Sequence, residues 1–197
     1  MKLRKLSLLV LLGIAISVQG QQVKLEYNIK RNGEVVGTIN FIQNIEGNRA
    51  VLTMESEVNT RFIFNFKTNA KEVAIYDNGI MTWSSIFRKQ NGHIKVDKKT
   101  KASGNAYTVY KGSKTETLNN YPIRYSMLSI YISEPVNISK IYSDYFQQQI
   151  DIQKLADHHY KIKFPDDNYN EYFYSNGICS KIKVHNSLYS ATVELKS

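Results

Sequence analysis

The chain has 197 residues, a formal net charge of +9, 42% hydrophobic residues and a single cysteine. That length fits one domain with a substantial core, and one cysteine excludes an intrachain disulfide framework. A basic balance without a basic helix or a recognition motif argues against nucleic acid as a partner.

Residues 1–20, MKLRKLSLLVLLGIAISVQG, open with Lys2, Arg4 and Lys5, run apolar from Leu6 to Val18 and exit on Gly20. This is the layout of a secretory signal peptide, with cleavage expected near Gly20–Gln21. The apolar run is short of the ~20 residues that span a bilayer. No cysteine lies at the exit, so a lipid-anchored form is not expected. The expected product is a periplasmic or secreted single domain, residues 21–197. It carries +6, because three units of the +9 belong to the leader.

From Val23 onward the dominant period is two. Val23, Leu25, Tyr27 and Ile29 alternate with Lys24, Glu26, Asn28 and Lys30, the mark of a strand with one buried and one wet face. Asn-Gly steps at 32–33, 78–79, 91–92 and 176–177 supply the positive φ that tight hairpin turns require. The stretch from Leu52 to Phe66 keeps an apolar even-numbered face and reads as one long strand, or two with a bend near Asn59-Thr60. Further strands are expected around 70–76, 80–89, 93–100, 106–111, 145–152, 159–164, 170–175, 178–185 and 188–195. The fold class is all-β, a large curved antiparallel sheet. Half-barrel, closed barrel and sandwich all satisfy the pattern.

One segment breaks the period. YPIRYSMLSIYIS, 121–133, places Ile123, Met127, Ile130 and Tyr131 on one helical stripe, with Pro122 in the first turn and Pro135 just beyond the end. Tyr125, Leu128 and Ile132 widen the stripe, so a short buried helix is expected against the sheet. The polar stretch from Lys101 to Leu118 reads as a weak strand flanked by loops.

No glycine-rich phosphate loop, HExxH, paired-cysteine motif or Gly-x-Ser-x-Gly is present, so no catalytic residue, metal ligand or cofactor is assigned. Asp157-His158-His159 reads as a polar turn, because adjacent strand residues point to opposite faces. Pro165-Asp166-Asp167-Asn168 reads as a turn. Cys179 reads as a small core residue. Arg88, Lys89, Lys95, Lys98, Lys99 and Lys101 crowd one hairpin into a basic finger. It suits an anionic membrane surface, or simply a solvated sheet edge. The aromatic faces Phe62, Phe64, Phe66 and Met81, Trp83, Phe87 suit a filled core or an apolar cavity. With Tyr125 and Met127 of the expected helix, Phe62, Phe64, Phe66, Trp83 and Phe87 form the candidate ligand-binding set.

Several stretches resemble an uncharacterised exported-protein family common in Bacteroidetes, a domain of unknown function. They are Tyr121-Pro122-Ile123-Arg124-Tyr125-Ser126, Glu134-Pro135, Ile141-Tyr142-Ser143, Pro165 to Tyr172 and Asn176-Gly177-Ile178-Cys179. The resemblance implies an exported β-rich domain and carries no catalytic residues. A more distant likeness in fold is to periplasmic carriers that hold lipid or lipoprotein acyl chains on a curved sheet. The reading is therefore a non-enzymatic binding module for an apolar or amphipathic ligand such as a lipid. A cell-envelope structural or interaction module with a filled core is the alternative, an enzyme comes third, and no protein partner is indicated.

Overall fold

The computed structural model describes residues 20–61, 65–119 and 122–196. All of the leader except Gly20 lies outside the described residues, as do Phe62, Phe64 and Tyr121. The chain forms fourteen strands. The first eight are β1 (Gln21–Arg31), β2 (Glu34–Glu46), β3 (Arg49–Arg61), β4 (Asn65–Asp77), β5 (Ile80–Gln90), β6 (His93–Ser103), β7 (Ala106–Lys111) and β8 (Lys114–Leu118). The last six are β9 (Lys140–Ser143), β10 (Gln148–Ala156), β11 (His159–Lys163), β12 (Tyr169–Ser175), β13 (Ile178–Asn186) and β14 (Tyr189–Leu195).

All fourteen make one antiparallel sheet in the order β8-β7-β6-β5-β4-β3-β2-β1-β14-β13-β12-β11-β10-β9. Every connection but one is a hairpin to the next strand. The four Asn-Gly steps make two-residue turns, and Asn32 at φ 50° with Gly33 at φ 85° shows why. Two consecutive positive φ angles match the twist of the flanking strands. The sheet joins through its termini, with Tyr27 opposite Leu195, so its free edges β8 and β9 come from mid-chain. It is open rather than closed into a barrel.

The all-β expectation holds, with two refinements. The stretch 52–66 belongs to two strands: β3 ends at Arg61, which pairs antiparallel with Asn65 of β4. Residues 106–118 form the full hairpin β7–β8, where one weak strand was expected. Gly37 marks a close approach between β2 and β3. A Cβ there would stand 2.2 Å from the Glu57 carbonyl oxygen of β3, so no larger residue fits without parting the strands.

The expected helix at 121–133 shrinks to one 3-10 turn, Ser129–Tyr131. The segment is nonetheless buried: Ile123, Leu128 and Ile130 have 0–1% exposure. It is an irregular strap across the concave face. Short-range bonds such as Ser129 N–H to Ser126 O at 2.9 Å and Ser133 N–H to Ser129 O at 3.0 Å close its turns, and other backbone groups bond to the sheet. Met81 N–H donates to Ile123 O at 2.8 Å, Met127 N–H to Tyr142 O at 2.9 Å, and Tyr142 N–H to Tyr125 O at 3.0 Å. The last two bonds cover edge strand β9. Apolar density predicted burial correctly, but bonds to the sheet and one short turn stand in place of a continuous helical ladder.

Buried tyrosines fasten the strap. Tyr76 Oη bonds Ser126 Oγ at 2.8 Å and Ser129 Oγ at 3.2 Å. Tyr107 Oη donates to Met81 O at 2.8 Å and accepts from Ile123 N–H at 3.0 Å. Across the interior, Tyr27 Oη donates to Cys179 O at 2.9 Å, tying β1 to β13. The sheet curls until the turn after β9 touches the inner face of β5–β7. Thr100 and Tyr142 hydroxyls bond at 2.8 Å, and the Gln147 amide donates to Lys99 O and Tyr110 O.

Candidate ligand cavity

The strap fills one end of the concave face, over Phe41, Leu52, Ala74, Tyr76, Met81 and Tyr107. At the other end the same inward rows remain uncovered and bound a cavity of about 400 Å3. One wall is the row Met54 (β3), Glu72 (β4), Ile86 (β5), with Ile39, Ser56 and Arg88 in the next row. The facing wall is Asn170, Tyr172, Ile182, Val184 and Val193 from β12–β14. Met127, Leu128 and Tyr131 of the strap close the floor. Asp144, Tyr145 and Phe146 of the turn after β9 close one side, with Phe164 beyond β11. Asp166, Asn168, His185 and Tyr189 add polar groups to the lining. A volume of this size lies within the ~300–1,000 Å3 range of ligand pockets.

Besides Asp166, two buried carboxyls stand in this mixed lining. Asp144 is 3% exposed and accepts a short hydrogen bond from Ser84. Burial pushes it up to about 7; the Ser84 bond opposes this and the nearby Glu72 charge adds to it. Glu72 is 9% exposed and is also raised, by burial first, with Arg88 only partly opposing. The Arg88 guanidinium lies 5.5 Å from the centre of the Tyr145 ring. Burial also lifts the Tyr172 and Tyr131 hydroxyls well above the usual tyrosine range, so both stay neutral.

Of the candidate ligand set, Met127 lines the cavity. Phe66 is half-buried on the inward parity of β4. Tyr125 is half-buried in the strap, its hydroxyl bonded to Ser133 O. Phe62 and Phe64 lie outside the described residues. Trp83 and Phe87 are a correction: they do not share a face with Met81. A bulge opposite Ile75/Tyr76 pairs Met81 with Tyr76 and Trp83 with Ile75, leaving Thr82 as the extra residue. The bulge flips the parity, so Met81, Ser84 and Ile86 point inward and Trp83 and Phe87 outward. Phe87 and Lys89 line a shallow outer depression instead.

The basic finger also divides. Arg88 and Lys98 project inward; Lys98 donates to Tyr145 O and is lowered by burial and then by Lys111. Lys89, Lys99 and Lys101 project outward, and Lys95 sits exposed at a second bulge, between the Val96 and Ile94 pairings. Cys179 is fully buried, and burial holds its thiol up at about 12, which suits a core residue and not a nucleophile. Among the described residues no group of three His, Cys, Asp or Glu side chains gathers to hold a metal.

Sequence reasoning missed Glu72 and Asp144. Glu72 follows the inward even parity of Ala70, Ala74 and Tyr76, but Val73 and Ile75 make the odd face equally apolar. Asp144 sits in a turn with no pattern to flag it.

Fold and cavity together define a β-barrel-like single-sheet protein with an accessible interior. Residues 27–196 match the family described as a domain of unknown function, DUF6134, and the chain belongs to that family. In fold it is similar to a β-barrel-like protein of a domain of unknown function, DUF1849, from Brucella abortus. That likeness has a TM-score of 0.56 at 10% identity and covers 89% of this chain and 95% of the other. No curated protein matches the chain.

Proposed function

We propose that this protein is an exported, non-enzymatic binding module that holds an amphipathic, lipid-like ligand in the concave cavity. The observation that carries the reading is the cavity itself, left open beside a strap that fills the other end of the same concave face. Ile39, Met54, Ile86, Leu128, Phe146 and Val193 offer an apolar body its contacts, and Arg88, Glu72 and the polar lining residues offer a head group its partners.

Ser56→Trp tests it. Ser56 lines the cavity and is half-buried, so a large side chain there fills ligand space with little core strain. The expected result is loss of lipid-probe binding with an unchanged melting temperature. Failure of every lipid class to bind the folded wild-type protein would overturn the reading and favour an envelope interaction module. That second reading has its own support in Val35, Leu188 and Tyr189, exposed at 56%, 82% and 44% in or beside two hairpin turns.

Export rests on the basic, apolar and small layout of residues 1–20. Intact mass of the secreted form should lack residues through about Gly20; a cytoplasmic protein retaining Met1 would refute it.

A further inference from the structure

Glu72 is the group in the cavity that the apolar walls do not explain. Its inward position on β4 is set by pairing with Met54 of β3 and Ile86 of β5, both apolar. It lines the cavity at 9% exposure. Among the described residues no hydrogen bond or salt bridge reaches its carboxyl, and the Arg88 charge only partly favours its ionised form. A buried carboxylate without a partner is costly, and folds avoid it unless the site is used.

Its surroundings narrow what would complete it. Arg88 is diagonal to it on β5, drawn toward the Tyr145 ring. Asp144 faces it from the turn after β9, satisfied only by Ser84. Tyr131 of the strap and Tyr172 of β12 are close enough to feel its charge, and both are neutral. The inner end of the cavity therefore sets two acids against Arg88. Lys98, inward on β6 opposite Ile86, already donates to Tyr145 O. His185 and Asp166 add titratable groups elsewhere in the lining.

We propose that the cavity ligand carries a protonated amine on an apolar body, and that Glu72, with Asp144 beside it, receives that amine. This rests on reading the cavity as a binding site. An ammonium brings three donors to a carboxylate that has none among the described residues, and adds positive charge where Arg88 only partly offsets two acids. A fatty-acid carboxylate would meet two acids, with Arg88 in its favour and Lys98 already held by Tyr145 O. An alcohol would gain a hydrogen bond but no charge pairing.

The test is calorimetric titration of the purified protein with decylamine, decanol and decanoic acid, which share one apolar body. In the wild type the amine should bind ~10-fold or more tightly than the alcohol. Its affinity should rise between pH 5.5 and 8, because pairing is completed as Asp144, lifted to about 7, loses its proton, and Glu72, also raised, must be ionised as well. The amine should also release protons, read from the dependence of the heat on buffer. Glu72→Gln should bring the amine close to the alcohol, changing decanol binding far less because the amide carbonyl still accepts a hydroxyl. Equal amine and alcohol affinities in the wild type, a preference for the acid, or a preference that survives in Glu72→Gln would overturn the proposal. Should Glu72→Gln fail to fold, proton release by the wild type decides alone. Decanol binding without amine preference sinks this inference and leaves the cavity reading standing; no binding by any of the three sinks both.

Discussion

Asp144→Asn should flatten the pH dependence of stability. Asp144 is 3% exposed, with Ser84 as its hydrogen-bond donor, and burial lifts it from 3.8 to about 7. Between those values the folded protein keeps a proton that the unfolded chain has lost, so stability falls as pH rises. The whole gap is worth about 4 kcal/mol, and the part above pH 5.5 about 2 kcal/mol. Above about pH 7 the penalty is complete and constant. An asparagine carbonyl still accepts the Ser84 hydroxyl but never ionises. Its extra amide protons shift stability equally at both pH values, so they cancel in the comparison. Glu72 is raised too and contributes a slope of the same sign in both proteins. Glu134 and Glu194 are held low, Glu134 by His158 and Tyr160, Glu194 by Lys30 and Lys181. Their contribution is lost only as pH falls below the ordinary carboxylate range, outside the window compared. Urea unfolding followed by far-UV circular dichroism at about pH 5.5 and about pH 8 measures the difference. The wild type should lose about 2 kcal/mol more than Asp144→Asn across that interval. Parallel losses in the two proteins would refute the burial argument.

Three further outcomes are expected. Tyr76→Phe leaves Ser126 and Ser129 without their shared partner and should cost about 1–3 kcal/mol; an unchanged urea midpoint would mean that these bonds do not anchor the strap. Trp83 points outward, so its emission should stay fixed when a ligand saturates the cavity; a shifted maximum would place the ligand elsewhere. Replacing Lys95, Lys99 and Lys101 by glutamate should weaken adsorption to anionic vesicles, and added salt should weaken adsorption of the wild type. Adsorption indifferent to both would dismiss the outward lysines as a membrane contact.

The sheet was legible because its signals are local. Alternation in Val23–Ile29 and the Asn-Gly steps each report a strand or a turn without knowledge of the rest of the chain. Facing was less legible wherever a bulge intervened. Counting by twos from Met81 puts Trp83 and Phe87 inside; one extra residue at Thr82 puts them outside, and no composition marks that residue. The strap was misread for a related reason. Its apolar residues and prolines fit a helix as well as a buried irregular crossing. What decides is whether partners exist for its backbone, and those partners, Met81 and Tyr142, lie 42 and 19 residues away from Ile123. The cavity was illegible in principle, because it is the volume the strap does not reach.

That uncovered volume differs from a packing defect in what it contains. A defect in a core exposes apolar groups to one another and is stabilised by filling it. Here the gap holds Glu72, whose burial lowers stability for as long as nothing pairs with it. Were Glu72 a structural residue, the fold would supply its partner, as it supplies Tyr160 Oη and His158 Nδ1 to Glu134 at 2.8 and 2.9 Å. It supplies none. Glu72→Leu should therefore raise the melting temperature, because Met54 and Ile86 already surround the position with apolar contacts. The same change should abolish the preference for an amine. Stability gained and recognition lost together identify a residue kept for binding. A Glu72→Leu protein that melts several degrees lower would instead make the carboxylate part of the scaffold.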